Sequence, residues 1–193
     1  DQVIDRTHKR ANTFYENAAV HVEFAEPFCP VMRRWLLAAA GRLAAERPGL
    51  VIHKEGTYVC MEGPAFSTKA ESQMHRDWGG DLIGMTAMPE AKLAREAEIA
   101  YALIALPTDY DCWRPHGPGT TPQSLLEQIR GNLQKAVGNT VALMSVALQD
   151  MRLLAETASP AHCALDRAIW SRKSTIDPAE VQRLAVLWGR HLQ

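Results

Sequence analysis

Two aspartates stand two positions apart in the segment Thr108-Asp109-Tyr110-Asp111, where their carboxyl groups are suited to acid chemistry. In an extended loop, side chains two positions apart point the same way, so both carboxylates can face one ligand. An isolated aspartate has a pKa of about 3.9, and acid catalysis near neutral pH needs a higher value, which a second carboxylate close by can provide. The residues alone leave equally open a structural role, in which these carboxylates bind backbone amides of their own loop.

Other side chains are suited to holding a small molecule. Phe66 follows a Gly-Pro turn and offers an aromatic face to a planar ligand, and Met85 offers an apolar pocket wall. Thr86 can form a hydrogen bond to a hydroxyl or a phosphate oxygen of a ligand. His21 lies in an irregular segment from which it could reach a neighbouring subunit. Each also has an ordinary structural explanation: core packing for the first two, helix capping for the threonine and solvent exposure for the histidine.

Several common chemistries have no motif in this sequence. It has no dinucleotide-binding glycine pattern, no Walker loop and no nucleophile elbow. Neither the seven histidines nor the four cysteines show metal-ligand spacing. We therefore expect no bound metal and no cofactor. The cysteines are scattered, and they are typical of reduced thiols in a cytoplasmic protein.

Composition narrows the possible partners. The 193 residues carry a net charge of -1, with 47% hydrophobic and 22% charged residues, as in an ordinary globular protein. This balance predicts no nucleic-acid partner and no binding to an anionic membrane. No apolar run reaches the roughly 20 residues that a membrane-spanning helix needs.

The hydrophobic pattern alternates between strands and helices. Predicted strands cover residues 50–53, 57–61, 81–85 and 99–106, and residues 3–6 are typical of the end of a strand cut from a longer chain. Predicted helices cover residues 30–45, 68–78, 89–98 and 121–148, and another begins at Asp177-Pro178. This order predicts an α/β fold with a largely parallel sheet, whose strand at 99–106 is buried on both faces.

Polar or glycine-rich stretches follow three of these predicted strands. They are residues 62–67, Thr86 and residues 108–111. Ligands of such sheets bind beyond the carboxyl ends of the strands. If the strands are parallel neighbours, the three stretches meet at one place, which predicts a small-molecule site without reference to any known protein.

The same stretches resemble a known family. Residues 56–72 resemble a strand, loop and helix of the methylthioadenosine phosphorylases, which are nucleoside phosphorylases, and residues 78–90 resemble the strand and loop that follow. Residues 105–113 are similar to the family's purine-binding loop, and residues 21–30 to a further segment. The resemblance covers most of residues 1–150.

The resemblance implies a three-layer α/β/α fold with a mixed, largely parallel sheet, of which residues 1–193 form the C-terminal part of a single domain and the N-terminal strands are missing. The family's glycine-rich phosphate loop has no equivalent here, so the chain should lack most of the phosphate site. The resemblance also implies a homotrimer and a role in purine and methionine salvage. The implied reaction is phosphorolysis of 5′-methylthioadenosine, with inorganic phosphate as co-substrate, to adenine and 5-methylthioribose 1-phosphate.

The resemblance assigns roles along the chain. Asp109 bonds the purine and acts as the acid, while Asp111 supports the 6-amino side. The residues implied to bind substrate are Phe66, Ser67, Met85, Thr86, Thr108, His21, Pro122, Leu125 and Leu126. Among them Thr86 also lies near the phosphate, His21 reaches across a subunit interface, and the last three surround the methylthio group, where Pro122 departs from the family pattern.

Substrate preference follows from Ser67 and Asp109, because phosphorylases of 6-oxopurines carry Glu and Asn at these places. An aspartate accepts a hydrogen bond from an amine when ionised and donates one when protonated, which favours a 6-aminopurine. Three alternatives stay open: a phosphorylase that prefers adenosine or methylthioinosine, a nucleosidase that uses water, and an inactive fragment that acts only in oligomerisation.

Overall fold

A parallel three-stranded sheet forms the centre of the computed structural model, which describes residues 1–192. The strands are β1 (Gln2–Arg6), β2 (Thr57–Met61) and β3 (Leu82–Gly84), in the order β1-β2-β3. In register, Val59 of β2 lies between Ile4 of β1 and Ile83 of β3. All three strands therefore present their carboxyl ends at one edge of the sheet.

Helices follow the strands and cover both faces. They are α1 (Pro30–Glu46), α2 (Lys69–Asp77), α3 (Ala87–Glu96), α4 (Pro122–Leu148), α5 (Arg152–Glu156), α6 (Pro178–Arg183) and α7 (Ala185–Leu192), with short 3-10 turns at Pro160–Cys163 and Lys173–Thr175. The predicted capping box is confirmed: the Thr68 hydroxyl accepts from the Glu71 amide, and the Glu71 carboxylate accepts from the Thr68 amide.

Successive side chains of β2 point to opposite faces of the sheet, so its buried residues pack in two different layers. Tyr58 and Cys60 pack with Met88 and Ala91 of α3. Val59 lies on the other face, where Gly80, directly after α2, approaches its side chain. The α/β fold with a central parallel sheet is thus confirmed, although the sheet expected to be mixed is wholly parallel over residues 1–192.

Two predicted strands are wrong, because these apolar runs pack by their side chains and form no ladder with another strand in residues 1–192. The Cys29 amide donates to the Tyr101 carbonyl at 2.7 Å, but this isolated bond makes no strand. Residues 50–53 form no ladder, and Leu50 and Ile52 instead pack against α1 and α4. Residues 99–106 also form no ladder and are only partly buried. Tyr101 and Leu103 join the cluster on α3, while Ile104 joins the α1–α4 cluster, so the run keeps the alternation of a strand without its hydrogen bonds.

The chain after residue 150 packs on the N-terminal segment. Trp188 of α7 is fully buried, and its ring lies 5.0 Å from that of Tyr15. Val20 and Ile169 form an isolated antiparallel bridge. Within the described chain, no helix combines the length and the apolar character needed to cross a membrane.

Candidate active site

A cleft of about 830 Å³ lies at the carboxyl ends of β2 and β3. Met61 and Gly84, the last residues of these strands, form part of its wall, and α2 forms another part. The loop with Phe66 and Ser67 and the stretch 106–111 complete it. This position agrees with the general rule that ligands of parallel sheets bind beyond the strand ends.

The aspartate loop is held by bonds to two other elements. The Asn132 side chain of α4 donates to the Thr108 carbonyl at 2.6 Å. The Cys112 thiol donates to the Ser67 carbonyl at 3.3 Å, which joins this loop to the one that carries Phe66. Asp109 is nevertheless exposed, so its carboxylate is available to a ligand.

Each carboxylate of the loop already has one local partner. The Thr108 hydroxyl donates to Asp109 Oδ1 at 2.6 Å, and the Cys112 amide donates to Asp111 Oδ1 at 2.8 Å. Since a carboxylate has about four lone-pair sites, both groups keep capacity for a further donor. The loop can therefore accept hydrogen bonds from the N–H edge of a planar heterocycle, or donate one when an aspartate is protonated.

Phe66 supplies an apolar face to the same cleft. Phe66 is 85% exposed, so its ring is open to a planar molecule in the cleft. The turn before it requires glycine: Gly63 has φ +71°, and a Cβ there would lie 2.7 Å from Met85 Sδ. This close approach brings the Phe66 loop beside Met85, another residue of the cleft.

Two arginines that lie against aromatic rings of the aspartate loop were not among the predicted site residues. Arg76 of α2 lies 3.9 Å from the centre of the Trp113 ring, and Arg114 lies 4.0 Å from that of Tyr110. Arg76, Tyr110 and Trp113 line the cleft. Arg76 stands four positions after Ser72, which also lines the cleft, so helical spacing from the strand-following loop could have indicated it.

The structure brings together many of the predicted site residues and leaves others apart. Those that line the cleft are Phe66, Ser67, Met85, Thr108, Asp109 and Asp111. Thr86 follows Met85 as the N-cap residue of α3, but its side chain makes no capping bond. His21 instead packs on Trp170, with ring centres 4.7 Å apart. Pro122, Leu125 and Leu126 lie at the start of α4 outside the cleft lining, and Leu126 is 44% exposed.

A possible metal-ligand cluster exists away from the cleft. Glu98, Asp166 and His191 bring ligand atoms within 4.8 Å of one another. The Glu98 carboxylate is already engaged, because it accepts from Arg190 at 2.5 Å and from the Leu165 amide at 3.0 Å. The cluster is therefore an ion-pair network that fastens α7 to the preceding chain.

Comparison with known proteins gives this geometry a family. The family model described as the phosphorylase superfamily matches residues 1–148. The chain belongs to the phosphorylase superfamily. The matched region contains the sheet, α2, α3 and every residue that lines the cleft.

Two relatives of this phosphorylase-superfamily chain carry the same protein name. It is 46% identical, over 100% of its own length, to an S-methyl-5′-thioadenosine phosphorylase from Thermosynechococcus vestitus, and covers 64% of that protein. It is 45% identical to the protein of the same name from Chloroflexus aurantiacus, with 99% of this chain and 63% of the relative covered. The chain thus spans less than two thirds of the length of these relatives.

Solved structures of the superfamily have the same fold. A methylthioadenosine phosphorylase from an antarctic soil metagenomic library superposes with a TM-score of 0.83 at 40% identity, over 97% of this chain and 63% of that one. The methylthioadenosine phosphorylase of Schistosoma mansoni in complex with adenine gives a TM-score of 0.68 at 31% identity, over 88% and 64%.

Proposed function

We propose that the protein to which this chain belongs catalyses the phosphorolysis of 5′-methylthioadenosine to adenine and 5-methylthioribose 1-phosphate. One observation carries the proposal: two aspartates and an exposed phenylalanine line one cleft, in a phosphorylase-superfamily chain whose relatives are named for this substrate. Phosphate supplies the nucleophile, and no cofactor is needed.

The proposed mechanism centres on the leaving base. Phosphate attacks the anomeric carbon, the glycosidic bond breaks, and its electron pair goes to adenine. Protonated Asp109 gives its proton to the position-7 nitrogen, so the base leaves neutral rather than as an anion. Asp111 accepts from the 6-amino side, and Phe66 stacks on the ring.

The remaining roles belong to the sugar. Met85 and Thr86 bind the ribose hydroxyls, with Thr86 also near phosphate, and Ser67 and Thr108 border the base. His21 approaches the 5′-methylthio group from a neighbouring subunit of a homotrimer, and Pro122, Leu125 and Leu126 form the apolar wall around that group. The protein would act in the cytoplasm, in purine and methionine salvage.

Phosphate dependence is the decisive test. Full-length protein is incubated with 5′-methylthioadenosine with and without phosphate, and adenine and sugar products are measured. The proposal requires adenine release that depends on phosphate and forms the sugar phosphate. Equal release in phosphate-free buffer would identify a nucleosidase, and faster turnover of methylthioinosine or adenosine would identify another preference. If intact mass shows that the purified material holds residues 1–193 alone and it releases no adenine, it is an inactive fragment that acts only in oligomerisation.

Asp109→Asn tests the acid directly. The amide cannot transfer a proton, so we expect kcat for 5′-methylthioadenosine to fall by about 10²-fold or more, since general acids contribute about 10²–10⁴-fold. Binding of 5-methylthioribose 1-phosphate, measured by calorimetry, should change less than about threefold, because the sugar contacts remain.

Glu46→Gln is the matched control, because it also neutralises one exposed carboxylate but lies at the end of α1. It should leave both measurements unchanged. An unaltered kcat in Asp109→Asn would remove Asp109 from the acid role.

A further inference from the structure

Arg10 makes four hydrogen bonds through the two terminal nitrogens of its guanidinium, at the strand ends beside the cleft. Nη1 donates to the carbonyls of Met85 and Met88, each at 2.5 Å. Nη2 donates to the Glu62 carbonyl at 2.6 Å and to the Met61 carbonyl at 3.4 Å. Nε lies 3.7 Å from the Glu62 carboxylate. An arginine carries its N–H donors in a fixed plane, and here both terminal nitrogens bind two backbone carbonyls each.

These acceptors belong to two separate loops of the cleft. Met61 ends β2, and Glu62 begins the loop that leads to Phe66. Met85 directly follows β3, and Met88 lies in the first turn of α3. One side chain from the segment after β1 therefore ties together the exits of both neighbouring strands.

Glu62 strengthens the same junction from the other side. Its carboxylate accepts from the backbone amides of His8 and Lys9, at 2.8 and 3.4 Å. The two side chains thus bind reciprocally. Arg10 donates to the Glu62 carbonyl, and the Glu62 carboxylate accepts from the two backbone amides just before Arg10. The Arg10 side chain is only 25% exposed and that of Glu62 only 18%, so these bonds are partly shielded from water.

We propose that Arg10 is a positioning residue of the active site, which fixes the Glu62–Phe66 loop against the Met85–Thr86 turn so that the base-binding and sugar-binding groups keep one geometry. The inference deepens the proposed function and rests on it. Arg10 does not line the cleft, so it acts through the carbonyls that it holds rather than by touching substrate.

Lysine cannot replace this arrangement. A lysine has three N–H donors on one nitrogen, which cannot reach carbonyls spread along a planar fork. Two variants therefore separate the effect of the positive charge from that of the planar donor geometry. Arg10→Lys keeps the charge and loses the planar set of donors, whereas Arg10→Met loses both.

The experiment compares these variants in the full-length protein, in two independent ways. Hydrogen exchange is measured at residues 62–67 and 85–88, and kcat and KM are measured for 5′-methylthioadenosine and for phosphate. Arg33→Met is the matched control, because Arg33 also donates to a backbone carbonyl, that of Lys54, which precedes β2. All assays are run well below each variant's melting temperature.

We expect both Arg10 variants to lower kcat/KM by about 100-fold, the loss typical of a displacement of about 1 Å in a site. Exchange at both loops should rise by about tenfold, while Arg33→Met leaves rates and exchange unchanged. In Arg10→Ala, added guanidinium ion should restore part of the lost rate.

Three results would overturn the inference. They are exchange that does not change at either loop, an Arg10→Lys enzyme with wild-type kcat/KM, and an activity loss that only follows the folded fraction. If wild-type protein releases no adenine in phosphate, the proposed function fails, and the exchange measurement still decides whether Arg10 fixes the two loops.

Discussion

Gly84 shows how closely single residues are fitted beneath the cleft. It ends β3 opposite Cys60, and the side chain of the buried Tyr58 passes directly over it. A Cβ at Gly84 would lie 1.9 Å from Tyr58 Oη and 2.7 Å from its Cζ. No side chain fits in that space unless the Tyr58 ring or the strand moves.

Gly84→Ala should therefore destabilise the protein by about 1–3 kcal/mol, the usual cost of overpacking a core. Urea unfolding followed by circular dichroism measures the change. Gly41→Ala is the control, because a Cβ in the middle of α1 meets nothing within 4 Å. It should stabilise by about 0.5–1 kcal/mol, since alanine is the better helix former. Equal behaviour of the two variants would contradict this account.

Among single residues, those that directly follow a strand were predictable from the sequence, whereas those that reach the site from another part of the chain were not. Asp109 and Phe66 were predictable because the carboxyl ends of parallel strands share an edge. Arg10 was not, because its partners are backbone carbonyls distant in sequence. The position of Arg76 follows from its helical spacing to Ser72, but its contact with the Trp113 ring does not. No local pattern marks which of the 21 basic residues makes such contacts.

An ion pair joins two secondary-structure elements on the α3 side of the sheet. Lys92 of α3 donates to Asp5 Oδ2 of β1 at 2.5 Å, and Thr7 donates to Asp5 Oδ1 through both its amide and its hydroxyl. Burial alone would raise the pKa of Asp5, but the bonds from Lys92 and Thr7 outweigh it and lower that pKa. Folding therefore favours the ionised carboxylate.

The sign of this shift fixes a pH dependence. A carboxyl group with a lowered folded pKa stabilises the protein above its unfolded pKa, about 3.9, and the contribution is lost as pH falls through the folded value. Asp5→Asn should lower the free energy of unfolding by about 1–2 kcal/mol at pH 7. The difference from wild type should shrink as pH drops below about 4.

Urea unfolding at several pH values checks this prediction. Combining Asp5→Asn with Lys92→Met in a double-mutant cycle isolates the pair, whose two losses should not add. A difference from wild type that stays constant down to pH 2 would show that Asp5 does not act through its charge.

Helices were predicted more closely than strands for a physical reason. A helix satisfies its own backbone, so local features such as the Thr68 cap or Pro122 at the first turn of α4 mark its start. A strand exists only with a neighbour. Residues 99–106 form the continuous apolar run typical of a buried strand, yet whether such a run finds a ladder partner is decided by tertiary structure, which no local pattern encodes.

At the scale of the whole molecule, the two chain ends share one core. Tyr15, Leu165, Ile176, Leu184 and Trp188 form a buried cluster apart from the sheet. The role of the residues after 150 was not predictable from the sequence, because their short helices carry no motif. Their function in the fold is to hold the N-terminal segment that contains His21.

Trp188→Ala should remove about 3–5 kcal/mol of stability, the range for a buried aromatic residue cut to alanine. Val186→Ala is the control on the same helix, because Val186 is 92% exposed, and it should change stability by less than about 0.5 kcal/mol. Thermal unfolding measures both variants. A loss below 1 kcal/mol in Trp188→Ala would show that α7 is only loosely attached.

The hydrogen bonds between residues 19–21 and 168–171 also affect the order in which parts of the protein fold and open. The Ala19 amide bonds the Ser171 hydroxyl across a sequence separation of 152, and the His21 amide bonds the Ala168 carbonyl. Contacts between such distant segments form late, because chain entropy must be lost before they stabilise anything. We therefore expect the part of the cleft within residues 66–111 to assemble first, and His21 to dock last and detach first during local opening.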